Sequence, residues 1–347
     1  MGNLIPSALT ALLAKQDIAT GVFDPNTAKF SKQQRYFQLV RGINIYSYST
    51  FQNLHRCERY LQLSKLEQNR TVIIQPPEEN VDFAFGRAIE SGVQSAFLGK
   101  EKHQIWFDMF MAWNMSLDTI HPKGYAKTFT DAVIAIDQFL YIKTQLFNEW
   151  ELAYFNGKPA IELALCMDLE NGYWYLGHAD IILYNPLSGE YRVLEIKTTA
   201  RTFLDAAMYK NSDQALGYSV FLDSVAQDKE RTATFEVFYL VFATPKSTWT
   251  IFNFTKTRSA RAGWINTILL DIQRINIYKA AGYWPKRGGS CFDYNRACKY
   301  FDSCDLDANH FNETGDFAYV GEEELSKHQF DFRFKLSEII ATQQELI

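Results

Sequence analysis

Long apolar runs are missing from this chain. None approaches the roughly 20 residues that span a bilayer, so no membrane-spanning segment is expected. The opening residues, MGNLIPSALTALLAKQD, lack a basic n-region and a convincing cleavage site, so a secreted location is not expected either. A basic surplus is also missing. Lys and Arg number 35 against 40 Asp and Glu, a formal net charge of −5. That balance excludes whole-molecule attraction to nucleic acid and leaves only a local basic groove to supply it. Cysteine is scarce, 5 in 347 residues, and a chain with no secretory signal disfavours structural disulfides. What is plentiful is core-forming material: 47% of residues are hydrophobic and 15% aromatic, which excludes a disordered chain. The length suits one elaborated domain, or a domain with a subdomain.

The most informative stretch runs from Gly177 to Lys197, GHADIILYNPLSGEYRVLEIK. Two strand-forming runs flank the turn residues Asn185-Pro186-Leu187-Ser188-Gly189, which predicts a hairpin. With a loop of about 4–6 residues, Asp180 on the first strand lies beside Glu195 on the second. Alternation puts Glu195 and Lys197 on one face and Leu194 and Ile196 on the other. Two carboxylates at close range need a counter-charge. With no local His or Cys, hard oxygen ligands favour Mg²⁺ or Mn²⁺. A lysine beside such an ion can orient a water and stabilise charge on a phosphate. The plain alternative is a surface hairpin with a salt bridge, against which the apolar flanks count.

Gly177-x-x-Asp180, a turn, then Glu195-x-Lys197 resembles the core of the PD-(D/E)XK nucleases, in the RecB-like branch that carries Gly-x-x-Asp where others have Pro-Asp. Gln214-x-x-x-Tyr218 matches the helix motif of that branch, its two side chains one helical turn apart. RecB-like nucleases usually begin an earlier helix with Gly-x-x-x-His. Counting from Gly86, that place here holds Glu90, still an oxygen ligand, with Gln94 one turn on. Glu162, on the strand expected over 159–170, could also face the site or sit at a sheet edge. The resemblance implies that Asp180, Glu195, the Ile196 carbonyl and Glu90 hold Mg²⁺ or Mn²⁺. Lys197 would orient or activate the attacking water, and Gln214 and Tyr218 would position the lysine or the DNA.

Around this core the pattern predicts a strand over 44–48, then a helix over 51–63 capped by Ser49 or Thr50. Further helices are expected over 83–97, 104–115 and 126–150. The 100–150 region reads as a helical insertion in which Trp106, Phe107, Phe110 and Trp113 are core. Two more strands are expected over 233–242 and 248–254, and a long helix over 257–283. Lys256, Arg258 and Arg261 at its start are candidate DNA phosphate contacts, a solvated helix face being the alternative. A short apolar helix is expected over 7–15 in an N-terminal extension of residues 1–44, and another over 337–346 in a C-terminal tail of residues 306–347.

Three cysteines, Cys291, Cys298 and Cys304, fall within fourteen residues, CFDYNRACKYFDSC. Thiolates at that density suggest a metal or an iron–sulfur cluster, with Cys57 as the fourth ligand. Zinc on four thiolates and unligated thiols are the alternatives. Cys166, between Leu165 and Met167, reads as a buried inert thiol. One cysteine before the core and three after it resembles the iron–sulfur branch of the RecB-like nucleases. That branch takes in the CRISPR-associated RecB-type exonucleases, the AddB nuclease domain and phage exonucleases. The spacing here, Cys-x6-Cys-x5-Cys, is looser than is usual there.

The expectation is therefore an α/β fold, a restriction-endonuclease-like core of residues 45–305 with a central mixed sheet flanked by helices and its termini tied by cysteines. The implied function is a metal-dependent deoxyribonuclease, an exonuclease acting in DNA processing, recombination or repair, with a 4Fe-4S cluster. DNA is the expected partner; an alternative is a nuclease acting only inside a helicase or recombination/adaptation complex, and with no helicase motif in this chain such a partner would have to be separate. A cytoplasmic location in a prokaryotic or phage-infected host cell follows by analogy. The rival is a non-catalytic DNA-binding or assembly subunit that retains the fold.

Overall fold

The structure, a computed structural model, describes residues 44–70, 80–113, 127–169, 172–210, 212–225, 234–293, 296–302, 304 and 321–344. The helix expected over 7–15, the rest of the extension before residue 44, and the acidic stretch 305–320 lie outside the described residues.

One mixed sheet of eight strands forms the centre. Its strands are β1 (Ile45–Tyr46), β2 (Glu151–Leu152), β3 (Ile161–Asp168), β4 (Trp174–Tyr184), β5 (Tyr191–Thr199), β6 (Thr234–Ala243), β7 (Thr248–Thr257) and β8 (Phe332–Lys335). The order is β8-β3-β4-β5-β6-β7, with β1 and β2 paired to β4 off that path. The β4–β5 hairpin closes through Asn185, whose side chain accepts from the Leu187 and Ser188 amides, and through Gly189 at φ 72°. β5 and β6 run parallel, so the chain between them must cross over. Helix α6 (Asp213–Val225) makes that crossing.

Helices cover both faces. α3 (Val81–Phe97), α4 (Lys102–Trp113) and α5 (Phe129–Leu146) pack on Ile181, Leu183, Leu194, Ile196, Phe238, Leu240 and Phe242. On the other face, α1 (Tyr48–Arg56), α6, α7 (Arg258–Ala281) and α8 (Leu336–Gln344) pack on Tyr175, Ala179, Val193, Val237, Tyr239 and Val241. Strand alternation thus sends Leu194 and Ile196 one way and Val193 the other, as period-two patterning requires. The fold is the expected α/β: a central mixed sheet flanked by helices, with α4 and α5 in the insertion region. Trp113 is fully buried there. Among the described residues, no helix is long and apolar enough to cross a membrane.

Several boundaries differ from the expectation. The helix expected over 51–63 is two helices, α1 and α2 (Glu58–Arg70), broken where Cys57 turns extended at φ −168°, ψ 121°. Just past the break, the Arg59 amide donates to the Pro285 carbonyl rather than continuing a single helix. The N-cap is Ser47, in a capping box with Thr50, instead of Ser49 or Thr50. α5 stops at Leu146, and the chain enters β2 a few residues later. β8, four residues too short to show a period, was not expected. It makes the second half of the tail part of the sheet.

Candidate functional site

The β4–β5 ladder runs from Tyr184–Tyr191 down to Ile181–Leu194 and stops. The next residues in that register are Asp180 and Glu195. Here Asp180 Oδ2 accepts the Ile196 amide at 2.9 Å, a side chain standing where a strand carbonyl would be. Glu195 is fully buried. Its Oε1 accepts from Lys197 Nζ, while Oε2 has no hydrogen-bond partner. Lys197 Nζ also donates to Gln214 Oε1 at 3.2 Å, and Gln214 Nε2 donates to the Tyr218 hydroxyl at 3.3 Å. The tyrosine therefore fixes which end of the Gln214 amide meets the lysine.

Two glycines let α6 sit this close. A Cβ on Gly177 would lie 3.1 Å from the Tyr218 ring, so the glycine of Gly-x-x-Asp is the seat of the tyrosine of Gln-x-x-x-Tyr. A Cβ on Gly217 would lie 2.6 Å from the Trp264 ring of α7, an overlap no side chain tolerates. From the opposite layer, α3 brings Glu90 to the strands. Ligand atoms of Glu90, Glu162 and Asp180 lie within 4.8 Å of one another, a group that leaves out Glu195. Gln94 Nε2 donates to Glu162 Oε1 at 2.6 Å.

The electrostatics follow from crowding anions out of water. Burial, then the charges of Glu195 and Glu162, hold the Asp180 carboxyl well above the usual carboxylate range, despite Lys197. Burial, then Asp180 and Glu162, do the same to Glu90. Glu195 is raised by burial and partly relieved by Lys197. For Lys197, burial works against the charge, but Glu195 and Asp180 outweigh it and keep the ammonium charged. His178, two residues before Asp180, is held below its ordinary value by burial, although Glu162 and Asp331 pull the other way.

A cleft of about 490 Å³ opens beside Lys197 and Gln214, walled by Tyr48, Tyr175, Tyr209, Tyr239 and Trp264. The three basic residues assigned to phosphate contact fare differently. Lys256 and Arg261 are 5% and 1% exposed, so the structure corrects their reading as surface cations. Lys256, the last residue but one of β7, donates to the Lys210 carbonyl at 2.5 Å. Arg258, the first residue of α7, is half-buried.

The four cysteines gather where the two ends of the core meet. Cys57 Sγ lies 4.0 Å from the Pro285 carbonyl, the Ser290 hydroxyl donates to the Arg56 carbonyl at 2.6 Å, and the Tyr60 and Tyr300 rings stand 5.1 Å apart. Buried Glu58 accepts two bonds from Arg287, at 2.8 and 2.5 Å, and one from Arg274 at 3.0 Å. Cys291 and Cys298 face each other across the strand pair Phe292–Asp293 and Arg296–Ala297, with a 2.7 Å backbone bond between them. Cys304 and Cys57 both act on the Arg59 guanidinium, whose pKa burial lowers. None of the four is in a disulfide, and no three of them fall within 4.8 Å of one another. Cys166 is buried, its thiol pushed up to about 12 by burial, as an inert core cysteine would be.

No family model matches this chain, and no curated protein does. Among solved structures, a candidate exonuclease from Eubacterium rectale aligns at 15% identity with a TM-score of 0.43, over 80% of this chain and 92% of that one. SSO0001 aligns at 15% identity with a TM-score of 0.32, over 72% of this chain and 84% of that one.

Proposed function

We propose that this chain is a metal-dependent deoxyribonuclease, an exonuclease of the RecB-like PD-(D/E)XK type. The observation that carries the reading is the parting of β4 and β5 at Asp180. It sets Asp180, Glu195 and Lys197 together at the sheet, with Gln214 and Tyr218 braced against the lysine. The donor set fits Mg²⁺ or Mn²⁺: all-oxygen, anionic, and with the buried Glu195 Oε2 lacking a partner. Asp180, Glu195, the Ile196 carbonyl and Glu90 would hold the ion, which when bound supplies Lewis-acid polarisation and a more acidic water.

The chain's own residues do the rest. Lys197, held as an ammonium beside Glu195 and Asp180, would orient or activate the attacking water and stabilise charge on the phosphate. Gln214 keeps the ammonium aimed, and Tyr218 keeps Gln214 in register. The aromatic cleft beside Lys197 suits the base next to the scissile phosphate, by stacking. The four cysteines take a 4Fe-4S cluster. Zinc on the same four thiolates is the alternative. Anaerobically purified protein is expected to show a visible iron–sulfur band; colourless protein with one zinc per chain would sink the cluster.

The test of the activity is degradation of end-labelled linear DNA beside closed circles. With Mg²⁺ or Mn²⁺, linear DNA is expected to disappear from its ends and circles to survive. Chelation should abolish the loss, and re-added metal should restore it. Persistence of activity in chelator would overturn the metal-dependent reading.

A further inference from the structure

The cleft beside Lys197 has a far end that the nuclease reading leaves unused. Two helices face each other across it. Tyr48, Gln52 and His55 lie along one face of α1, at steps of four and three residues, and Trp264, Ile268 and Asp271 repeat the pattern on α7. Tyr48 feels the charge of Lys197. His55 is two helical turns further along α1, about 10 Å away.

At that end His55 Nε2 bonds Asp271 Oδ2 at 2.5 Å, and Arg274 Nη1 donates to the other Asp271 oxygen at 3.1 Å. Asp271 is buried, whereas the His55 side chain is 41% exposed. The buried carboxylate fixes the ring. With Nε2 donating to Asp271, Nδ1 of the neutral imidazole is an acceptor left for a ligand. Charge narrows what that ligand is. Among the residues lining the cleft, Lys197 is the one Lys or Arg, and it faces the carboxylates of Asp213 and Asp271. A phosphate at the far end would meet those carboxylates and an acceptor nitrogen. A hydroxyl there would donate to Nδ1. The volume, about 490 Å³, is that of a small-molecule site, so it takes one nucleoside rather than the end of a duplex.

We infer that the cleft seats the last nucleoside of a strand that ends in a free 3′-hydroxyl. Its phosphate lies at Lys197, its base against the aromatic walls, and its hydroxyl on His55. The inference rests on the nuclease reading above and gives that reading a polarity, 3′ to 5′. Water adds at phosphorus, and the bond from phosphorus to the 3′ oxygen of the preceding nucleotide breaks. That oxygen takes up a proton. A nucleoside 5′-monophosphate leaves, and the new 3′-hydroxyl can enter the same cleft. His55 then sets specificity by touching the substrate, and Asp271 positions His55.

The test gives the full chain and Mg²⁺ single strands of one sequence, labelled at the 5′ end and finishing in either a 3′-hydroxyl or a 3′-phosphate. The hydroxyl strand is expected to shorten stepwise from its unlabelled end and to release nucleoside 5′-monophosphates. The phosphate strand should be cut at least about tenfold more slowly, since a site built to bond a hydroxyl rejects an end that lacks it. His55→Ala should bring the two rates to within about twofold of each other, by raising KM for the hydroxyl strand. His55→Phe keeps a ring in place without its nitrogens and should do the same, and circular dichroism checks that both variants are folded. Equal wild-type rates on the two strands, early release of the 5′ label, or full discrimination by both His55 variants would overturn the inference and leave a metal-dependent nuclease standing. No metal-dependent loss of either strand would overturn the nuclease reading, and this inference with it.

Discussion

Lys197→Ala is expected to slow cleavage of linear DNA by about 10²–10³-fold, the usual cost of removing one preorganised charge stabiliser. The protein should remain folded and still bind Mn²⁺. The side chain is only partly buried at the mouth of the cleft, so little packing is lost. Its removal also takes away the one cation beside Glu195, which should tighten rather than loosen metal binding. A drop in rate with metal retained separates a chemical role from a structural one. Equal rates for wild type and variant would mean that the DNA loss came from another source, and would move the reading to a non-catalytic DNA-binding subunit.

Trp264→Ala should cost about 3–5 kcal/mol, in the range for a buried aromatic cut back to a methyl. Trp264 is 6% exposed and stands edge-on to Tyr175 at 5.6 Å and Phe221 at 6.4 Å. It is also the surface against which Gly217 seats α6. The melting temperature should fall by roughly 6–20 °C, at about 2–4 °C per kcal/mol for a domain of this size. Activity should fall below what partial unfolding explains, because α6 carries Gln214 and Tyr218. A shift under about 2 °C would show that α6 is held elsewhere, for example by Leu336 and Ile339 of α8 in the same core.

The hairpin and the placing of its carboxylates were legible because they are local. Loop length alone placed Asp180 opposite Glu195, and period two separated Leu194 and Ile196 from Glu195. The Gln-Tyr helix was legible for the same reason, as an i,i+4 pair. What escaped notice depends on distant partners. The break at Cys57 answers to the Pro285 carbonyl, far along the chain. Lys256 and Arg261 read as phosphate contacts or a solvated face because cations usually reach the surface; a carbonyl from Lys210 and the packing of α7 bury them instead. Glu162 was read as facing the site or lying at a sheet edge, but its left-handed backbone, φ 50°, has no local sign. The available signal was the pairing of Glu90 with Gln94 on one helix face, which implied that something polar faced both.

β8 has a consequence beyond the sheet it completes. It borders β3, the strand that bears Glu162, and Asp331 just before it bonds Ala164 across 167 residues of sequence. At about 5–20 residues per second, a ribosome delivers that border roughly 8–33 s after β3 itself. Through that interval β3 has an open flank of unpaired N–H and C=O groups, the kind of edge on which nascent chains from neighbouring ribosomes associate. Yield of soluble protein would then answer to elongation speed and polysome crowding, independently of how stable the finished molecule is.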